Sequence, residues 1–351
     1  MNRYYLPFTQ IKNQAALIVD SMHPNGLVLS HWRGAPTPAA VRGDTSADIV
    51  FNALHRQLPG LDCLAVTANH FDIDGFIGVW ALLYPDLALA HEDVLRQAAR
   101  IGDFRELDCQ LPESERALKL VCWVNARETA LFYPPFGTVD LEENEIVASI
   151  PKFRYFLQAF APLLQDPEPV REVWQAEYQQ VLRDYQLVQG PQTQVTRYPG
   201  IGLAVIRTPQ PLHYYALFSQ TKGYDMVLAV YDDNRYELEY KYTTWIDLDS
   251  RPTLPRLALK PLVALLNQKE ASGQRWTGEP VTDTGPILRL GGRHLTKKER
   301  YANPTQRPIP ASSIPAAELE SLICTYFREA YAGIQARKYW SWAEVKKLSQ
   351  G

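Results

Sequence analysis

A short polar segment carries the residues best suited to chemistry. The segment NHFDIDG, residues 69–75, follows the apolar run 64–67 and precedes a strongly apolar stretch. One imidazole and two carboxylates at positions i, i+2 and i+4 can converge on one point, and this donor set suits a divalent cation. We therefore expect His70, Asp72 and Asp74 to bind a metal ion. The alternative is a polar turn whose carboxylates cap the next helix, where the helix dipole stabilises negative charge.

The elements around this segment alternate between strand and helix patterns. Runs rich in β-branched residues lie at residues 15–20, 27–31 and 64–67. Helices are predicted at residues 47–58, where apolar residues recur at helical spacing, at the strongly apolar residues 75–83 and at the amphipathic residues 91–101. Such alternation predicts an α/β fold, a parallel sheet with helices on its faces. Active sites in these folds lie at the carboxyl ends of the strands, which is where this segment stands.

The chain changes in character after its first third. Residues 113–189 are helical in pattern, with breaks at Pro134-Pro135 and near Pro167. Later strands and helices are predicted at residues 193–208, 224–242, 257–268 and 316–331. We expect an α/β metal-binding domain over residues 1–189, helical from about residue 113. A smaller α+β substrate-binding domain would cover residues 190–351 and close over the site. Within it, the four prolines of segment 303–315 predict a loop.

Composition excludes several classes of function. The chain has 351 residues and a net charge of −3, so it lacks the basic excess typical of proteins that bind long nucleic acids. The four cysteines form no CxxC pair, which argues against a zinc ribbon or a thioredoxin-type motif. The first residues contain no signal-peptide pattern, and no apolar run is long enough to span a membrane. We expect a cytoplasmic protein that does not enter membranes.

The polar segment also resembles a known family. The pattern H-x-D-x-D-G between a strand and a helix, from His70 to Gly75, is similar to the first motif of the DHH phosphoesterase superfamily. The Asp-His-His triplet that names the superfamily is absent from this chain. The resemblance implies a hydrolase of phosphoester or phosphoanhydride bonds that uses two Mn²⁺ (or Mg²⁺) ions.

The resemblance extends to three further positions if the motifs occur in a permuted order. Asp20 ends one strand, as the metal-bridging Asp of the second motif does, and His31 ends the next strand. Asp103, in the sequence RIGDF, resembles the fourth motif. The resemblance thus implies Asp20 and Asp103 as metal ligands, and His31 and Asp103 as catalytic residues. Without it, Asp20 and Asp103 are turn residues, His31 bonds a backbone carbonyl, and Asp44 is the expected cap of the helix at 47–58.

A glycine pair in the second half is similar to a substrate-binding segment of the same superfamily. Members often carry Gly-Gly-Gly-His there, and this chain has Gly291, Gly292, Arg293 and His294 after the strand PILRL. The resemblance implies that these residues bind substrate. Backbone N–H groups and the Arg293 guanidinium could hold phosphate oxygens. The alternative is an ordinary Gly-Gly hairpin turn.

Two classes of function remain open on the sequence. The first is a metal-dependent hydrolase acting on a small phosphorylated substrate or a short nucleotide, by a metal-activated water. In that hydrolase His31 either binds metal or protonates the leaving oxygen. The second is a binding or regulatory protein on the same scaffold, which the missing Asp-His-His favours. A metal-dependent C–N hydrolase is a variant of the first, because fold alone does not determine which bond is cut.

Overall fold

The computed structural model describes residues 2–132 and 144–349. The chain divides into two compact units, residues 1–180 and 181–351. The division between the two units lies inside the helix Arg171–Gln189. The sequence had predicted the division at the end of this helix, at residue 189. The predicted break at Pro134-Pro135 lies outside the described residues.

A four-stranded parallel sheet forms the centre of the first unit. Its strands are β1 (Tyr4–Tyr5), β2 (Ala16–Val19), β3 (Gly26–Leu29) and β4 (Ala65–Thr67). They are ordered β1-β4-β2-β3 across the sheet. Every residue of β2 and β4 is buried, because helices cover both faces of a parallel sheet and its inner strands are apolar throughout.

Helices make up the rest of the first unit. They are α1 (Ser46–His55), α2 (Ile73–Leu83), α3 (Pro85–Ala90), α4 (Glu92–Phe104), α5 (Ser114–Phe132), α6 (Glu145–Gln165) and α7 (Arg171–Gln189). Helix α2 is buried over almost its whole length and packs closely on β2. A Cβ atom on Gly78 would lie only 2.6 Å from Val19 Cγ1, so glycine permits this approach.

The cap of α1 differs by one residue from the sequence prediction. Thr45, and not Asp44, is the N-cap: its hydroxyl accepts the Asp48 N–H, and the Asp48 carboxylate accepts the Thr45 N–H. Both residue types are good caps, but only Thr45 has an acid three residues later to complete the capping box. The helix therefore does not use the carbonyl oxygen of Asp44, which can accept a hydrogen bond from another residue.

A mixed sheet organises the second unit. Its strands are β5 (Gln194–Tyr198), β6 (Leu203–Thr208), β7 (Met226–Tyr231), β8 (Arg235–Tyr240), β9 (Trp276–Gly278) and β10 (Ile287–Leu290). Their order is β5-β6-β7-β8-β10-β9, and β6 and β7 are parallel. Strands β7 and β8 form a hairpin whose turn residues, Asp233 and Asn234, have positive φ, a conformation that Asp and Asn tolerate.

The helices of this unit lie on both faces of the mixed sheet. They are α8 (Tyr214–Leu217), α9 (Lys260–Lys269), α10 (Lys297–Tyr301), α11 (Ala316–Ala330) and α12 (Trp342–Leu348). Helices α9 and α11 share one apolar core with the sheet, and α8 shares the other. Segment 303–315 contains one helical turn and a single bridge from Ala311 to Arg235.

The predicted fold class is confirmed, with a parallel sheet in the first unit and a second sheet region after it. Of the helices in the described ranges, none combines the length and the apolar character needed to cross a membrane.

Candidate metal centre

The ends of three neighbouring strands bring an aspartate and two histidines together. Asp20 directly follows β2, His31 follows β3 after one intervening residue, and His70 lies in the loop after β4. His31 Nε2 is 3.1 Å from Asp20 Oδ1, and His70 Nε2 is 3.4 Å from Asp20 Oδ2. Asp20 is fully buried and has a φ of +46°, in the left-handed region. Aspartate is one of the residue types that tolerate this conformation.

Two helices add three carboxylates to this group. Asp72 and Asp74 begin α2, and Asp103 lies in the last turn of α4. His70 Nε2 is 2.9 Å from Asp72 Oδ2. His31 Nε2 is 3.7 Å from Asp74 Oδ2 and 3.8 Å from Asp103 Oδ2. The structure thus brings together all six residues that the sequence offered as metal or catalytic candidates in the first unit, here called the Asp/His cluster: Asp20, His31, His70, Asp72, Asp74 and Asp103.

The cluster contains two overlapping groups that could each hold a cation. In each group, three potential ligand atoms lie within 4.8 Å of one another. The first group is Asp20, His31 and Asp74, and the second is Asp20, His70 and Asp72. The first is buried throughout, whereas the His70 and Asp72 side chains are 21% and 33% exposed. Asp20 belongs to both groups and stands where a bridging carboxylate would.

Both histidines are held with Nε2 towards the carboxylates. His31 Nδ1 lies 2.7 Å from the carbonyl oxygen of Asp44, and His70 Nδ1 lies 2.7 Å from Asn69 Oδ1. Because an oxygen of this kind only accepts, each Nδ1 carries a proton. This is how proteins orient metal-binding histidines. From the sequence, a hydrogen bond from His31 to a backbone carbonyl was the alternative to metal binding. The structure contains this hydrogen bond and also places His31 in a group that could hold a cation.

Burial and neighbouring groups shift the pKa values of two aspartates in the cluster in opposite directions. Burial alone would raise the pKa of Asp20, but His31, His70 and the Ser46 hydroxyl outweigh it and lower that pKa to about 2. Burial and the neighbouring carboxylates Asp20 and Asp72 raise the pKa of Asp74 to about 7, against the lowering effect of His31. A site with several buried carboxylates therefore holds protons that a cation can replace.

The other titrating members of the cluster also differ from their ordinary values. Burial, reinforced by Asp74, Asp72 and Asp20, raises the pKa of Asp103 well above its usual range despite His31. Burial alone would lower the pKa of His70, but Asp72 and Asp20 raise it to about 10. The carboxylates around His31 likewise raise its pKa well above the ordinary value, against burial. Shifts of this size mark candidate functional sites.

The N-terminus of α1 positions three members of the cluster. The backbone N–H groups of Ser46 and Ala47 donate to the two carboxylate oxygens of Asp74, at 2.7 and 2.8 Å. The Ser46 hydroxyl donates to Asp20 Oδ1 at 2.7 Å and accepts the His31 N–H at 3.3 Å. From the sequence, this segment was expected to cap α1, and Ser46 was not among the candidate site residues. The contacts of Ser46 were missed because they join residues 26 and 28 positions apart.

Gly75 permits α2 to approach Asp20. A Cβ atom there would lie 3.3 Å from Asp20 Cβ and 3.0 Å from Asp72 Oδ1. Asp72 caps α2 by accepting the Gly75 N–H at 2.7 Å, so the capping interpretation holds for this carboxylate. Asp74 instead accepts hydrogen bonds from α1.

The donor set fits a divalent cation. Asp20 Oδ2 and Asp103 Oδ2 are buried and accept no hydrogen bond from the residues described. A buried carboxylate oxygen without a partner is costly, and a bound cation removes that cost. Carboxylate oxygens with imidazole nitrogens suit Mn²⁺, and oxygen-rich sites also take Mg²⁺. The geometry and the chemistry of the donors thus agree.

The predicted substrate-binding segment lies in the second unit. Gly291 has a φ of +70°, and residues 292–294 form a short helical turn after β10. The turn leads into α10 and does not form a hairpin between two strands. Arg293 and His294 are exposed.

Comparison with known proteins identifies one family. The profile described as "Family of unknown function (DUF6687)" matches residues 1–338. No curated protein and no solved structure matches the chain.

Proposed function

The chain belongs to this family of unknown function, and we propose that it is a metal-dependent hydrolase of phosphoester or phosphoanhydride bonds. The observation that carries the proposal is Asp20, which is shared by two ligand groups at the carboxyl edge of a parallel sheet. Two cations a few ångströms apart are the arrangement by which many phosphoester hydrolases act. The resemblance of the first motif to DHH phosphoesterases supports the same reaction class.

Each residue of the cluster has a role in the proposal. Asp20, His31 and Asp74 hold one ion, and Asp103, which faces His31, completes that buried position. His31 serves there as a ligand, because its side chain is fully buried among carboxylates. When bound, the paired cations lower the pKa of a shared water and stabilise charge on the phosphoryl oxygens.

The second position is the one that substrate reaches. His70 and Asp72 are partly exposed, and the ring of Trp32 lies 5.6 Å from that of His70. A substrate phosphate would therefore meet the ion held by Asp20, His70 and Asp72 first. The proposed substrate is a small phosphorylated molecule or a short nucleotide. The proposed cofactor is two Mn²⁺ (or Mg²⁺) ions.

A substrate panel tests the reaction. The full chain is loaded with Mn²⁺, freed of excess metal and assayed with bis(p-nitrophenyl) phosphate, p-nitrophenyl phosphate, pyrophosphate and a dinucleotide. We expect hydrolysis of at least one, lost with EDTA and recovered with Mn²⁺. Asp93→Asn, an exposed change on α4, is the control and should retain full activity.

Other outcomes of the panel separate the alternatives. Hydrolysis of amide or guanidino substrates alone would identify a C–N hydrolase. Metal binding without hydrolysis of any substrate would identify the non-catalytic binding protein. Either result overturns phosphoester hydrolysis.

Ser46→Ala is predicted to weaken metal binding without unfolding the protein. The change removes the hydroxyl that holds Asp20 and the His31 backbone but keeps the N–H groups that hold Asp74. Loss of such an outer partner typically weakens metal binding by roughly 10–100-fold. Titration with Mn²⁺ measures the change. Ser114→Ala is the matched control, since it removes a buried hydroxyl that donates to the Asp108 carbonyl. Equal affinity in both variants would contradict the prediction.

We also propose a cytoplasmic location. All four cysteines are free thiols in the structure: Cys63, Cys109, Cys122 and Cys324. Free thiols persist in reducing compartments. Localisation of the tagged full chain by fractionation tests this, and recovery outside the cytoplasm would contradict it.

A further inference from the structure

We propose that a pocket in the second unit binds a phosphomonoester with an apolar or aromatic body. The pocket has a volume of about 630 Å³, within the range of small-molecule sites. It is bounded by the start of α9, by β9 with residues 279–281, and by the turn at Gly292 and Arg293. All of these residues belong to the second unit, and the proposal does not depend on the Asp/His cluster.

Positive charge dominates the side chains around this pocket. The described residues that line it include three cations, Lys260, Arg293 and Arg300, and one carboxylate, Glu279. Glu279 is already engaged, because it accepts the Ile287 N–H and lies 3.7 Å from the Arg289 guanidinium. Arginine and lysine side chains bind phosphate oxygens through charge-assisted hydrogen bonds. An anionic ligand is therefore favoured.

The start of α9 adds backbone donors to the same pocket. Ala258, Leu259 and Lys260 all line it, and Leu259, the N-cap, offers no side-chain hydrogen bond to the helix. Pro261 has no N–H. The other first-turn N–H groups, those of Lys260 and Leu262, receive no hydrogen bond from the side chain of Leu259. The positive end of the helix dipole attracts an anion.

A buried arginine, Arg289, packs against the wall of the pocket without lining it. Arg289 is 2% exposed, and its Nε and Nη1 groups donate no hydrogen bond to any residue that the structure describes. It touches the pocket wall: Nη2 donates to the Arg300 carbonyl at 3.0 Å, and a Cβ on Gly292 would lie 3.0 Å from its Cγ. These two buried nitrogens are closed to a ligand in the pocket, so Arg289 would act on an anion only through its charge.

Three carboxylates, Glu237, Glu279 and Glu239, lie close enough to act on the charge of Arg289. Glu237 lies 3.7 Å from Arg289 Nη1, beyond hydrogen-bond distance. Its carboxylate instead accepts from Nη2 and Nε of Arg307, at 2.6 and 3.1 Å. The charge of Arg289 is therefore shared among carboxylates, and the preference for an anion rests on Lys260, Arg293 and Arg300.

The remaining wall of the pocket is apolar and determines which kind of group the ligand carries beside its phosphate. Leu259, Val263 and Val281 line the pocket, with the buried Trp276 at its base. The space exceeds the need of a single phosphate, so the ligand carries an apolar or aromatic part beside its phosphate. Gly292 keeps the turn close to β9, because a Cβ there would lie 2.3 Å from Thr277 Oγ1.

Calorimetric titration of the full chain tests the proposal. Phenyl phosphate, adenosine monophosphate and inorganic phosphate are titrated in EDTA, so that no cation at the Asp/His cluster holds phosphate. We expect the first or second to bind at least about tenfold more tightly than inorganic phosphate. The double variant Arg293→Ala/Arg300→Ala should lose about tenfold or more in affinity, which corresponds to about 1.4 kcal/mol. Arg275→Ala, an exposed arginine of the same unit, is the control.

Two results of these titrations would overturn the proposal. One is that neither organic phosphate binds at millimolar concentration, and the other is that the wild type and the double variant bind with equal affinity. Binding that requires Mn²⁺ and is lost in Asp20→Asn would assign the ligand to the Asp/His cluster and also overturn it. Because the primary titrations contain EDTA, their failure leaves the hydrolase proposal untouched. Failure of the substrate panel likewise leaves this pocket untouched.

Discussion

Asp20→Asn is expected to remove both metal ions and all metal-dependent hydrolysis. Asp20 contributes one oxygen towards His31 and the other towards His70, so its charge serves both ligand groups. Asparagine has the same shape and tolerates the positive φ at this position, so the backbone should be retained. We expect a loss of metal affinity beyond the roughly 10–100-fold typical of an outer-shell change. Metal content after equilibrium dialysis against Mn²⁺ measures it.

Two further variants make this experiment specific. Asp72→Asn changes only the more exposed group and should leave one ion per chain bound at Asp20, His31 and Asp74. Asp62→Asn, an exposed change just before β4, should leave metal content at the wild-type value. If Asp20→Asn retained two ions, or if Asp72→Asn lost both, Asp20 would not be the shared ligand.

Arg256→Leu is expected to destabilise the second unit by about 3–5 kcal/mol. Arg256 is 1% exposed and connects separate segments through its guanidinium. It donates to the carbonyls of Lys241, Val281 and Thr284, at 3.1, 3.1 and 2.7 Å, and to the Thr244 hydroxyl at 2.7 Å. Leucine supplies none of these donors, so several acceptors lose their partner. Each buried group left unsatisfied costs about 1–3 kcal/mol.

Urea unfolding of the full chain gives the free energy directly. Arg275→Leu is the matched control, because Arg275 is exposed and a surface change is usually worth within about 0.5 kcal/mol. Arg256→Lys keeps the charge and part of the hydrogen bonding, so it should fall between the wild type and Arg256→Leu. A loss below about 1 kcal/mol in Arg256→Leu would contradict the structural role given to this side chain.

The sequence predicted the part of the cluster that local spacing and strand ends determine. His70, Asp72 and Asp74 lie within five residues of one another, and their strand–loop–helix context was predicted. Asp20 and His31 were proposed through the resemblance to the DHH superfamily, whose second and third motifs also end strands. The first inference needed only short-range patterns and the rule for parallel sheets, whereas the second needed the resemblance.

The contacts that hold the cluster could not be predicted in the same way. Asp74 was expected to bind a metal ion or to cap the helix that it begins, but its carboxylate accepts hydrogen bonds from the N-terminus of α1. Nothing within a few residues of Asp74 indicates that partner, since it depends on how two helices pack. The placement of the cap at Thr45 depended on a reciprocal bond with Asp48.

Short strands and buried charges were also beyond the sequence patterns. Strand β1 has only two residues, and β9 has three, so neither shows a periodicity. Arg289 stands within an apolar strand and gives no sign in the sequence of being 2% exposed. Its burial follows from the neighbours of β10 in the sheet, β8 and β9, whose paired residues are 48–52 and 10–14 positions away in the sequence.

Anomalous X-ray scattering at the manganese absorption edge, from crystals soaked in Mn²⁺, tests the two-cation site most directly. The proposed function predicts two peaks in the Asp/His cluster, roughly 3.5–4 Å apart, with Asp20 bonded to both. No peak in the cluster, or a single peak that Asp20 does not contact, would contradict it.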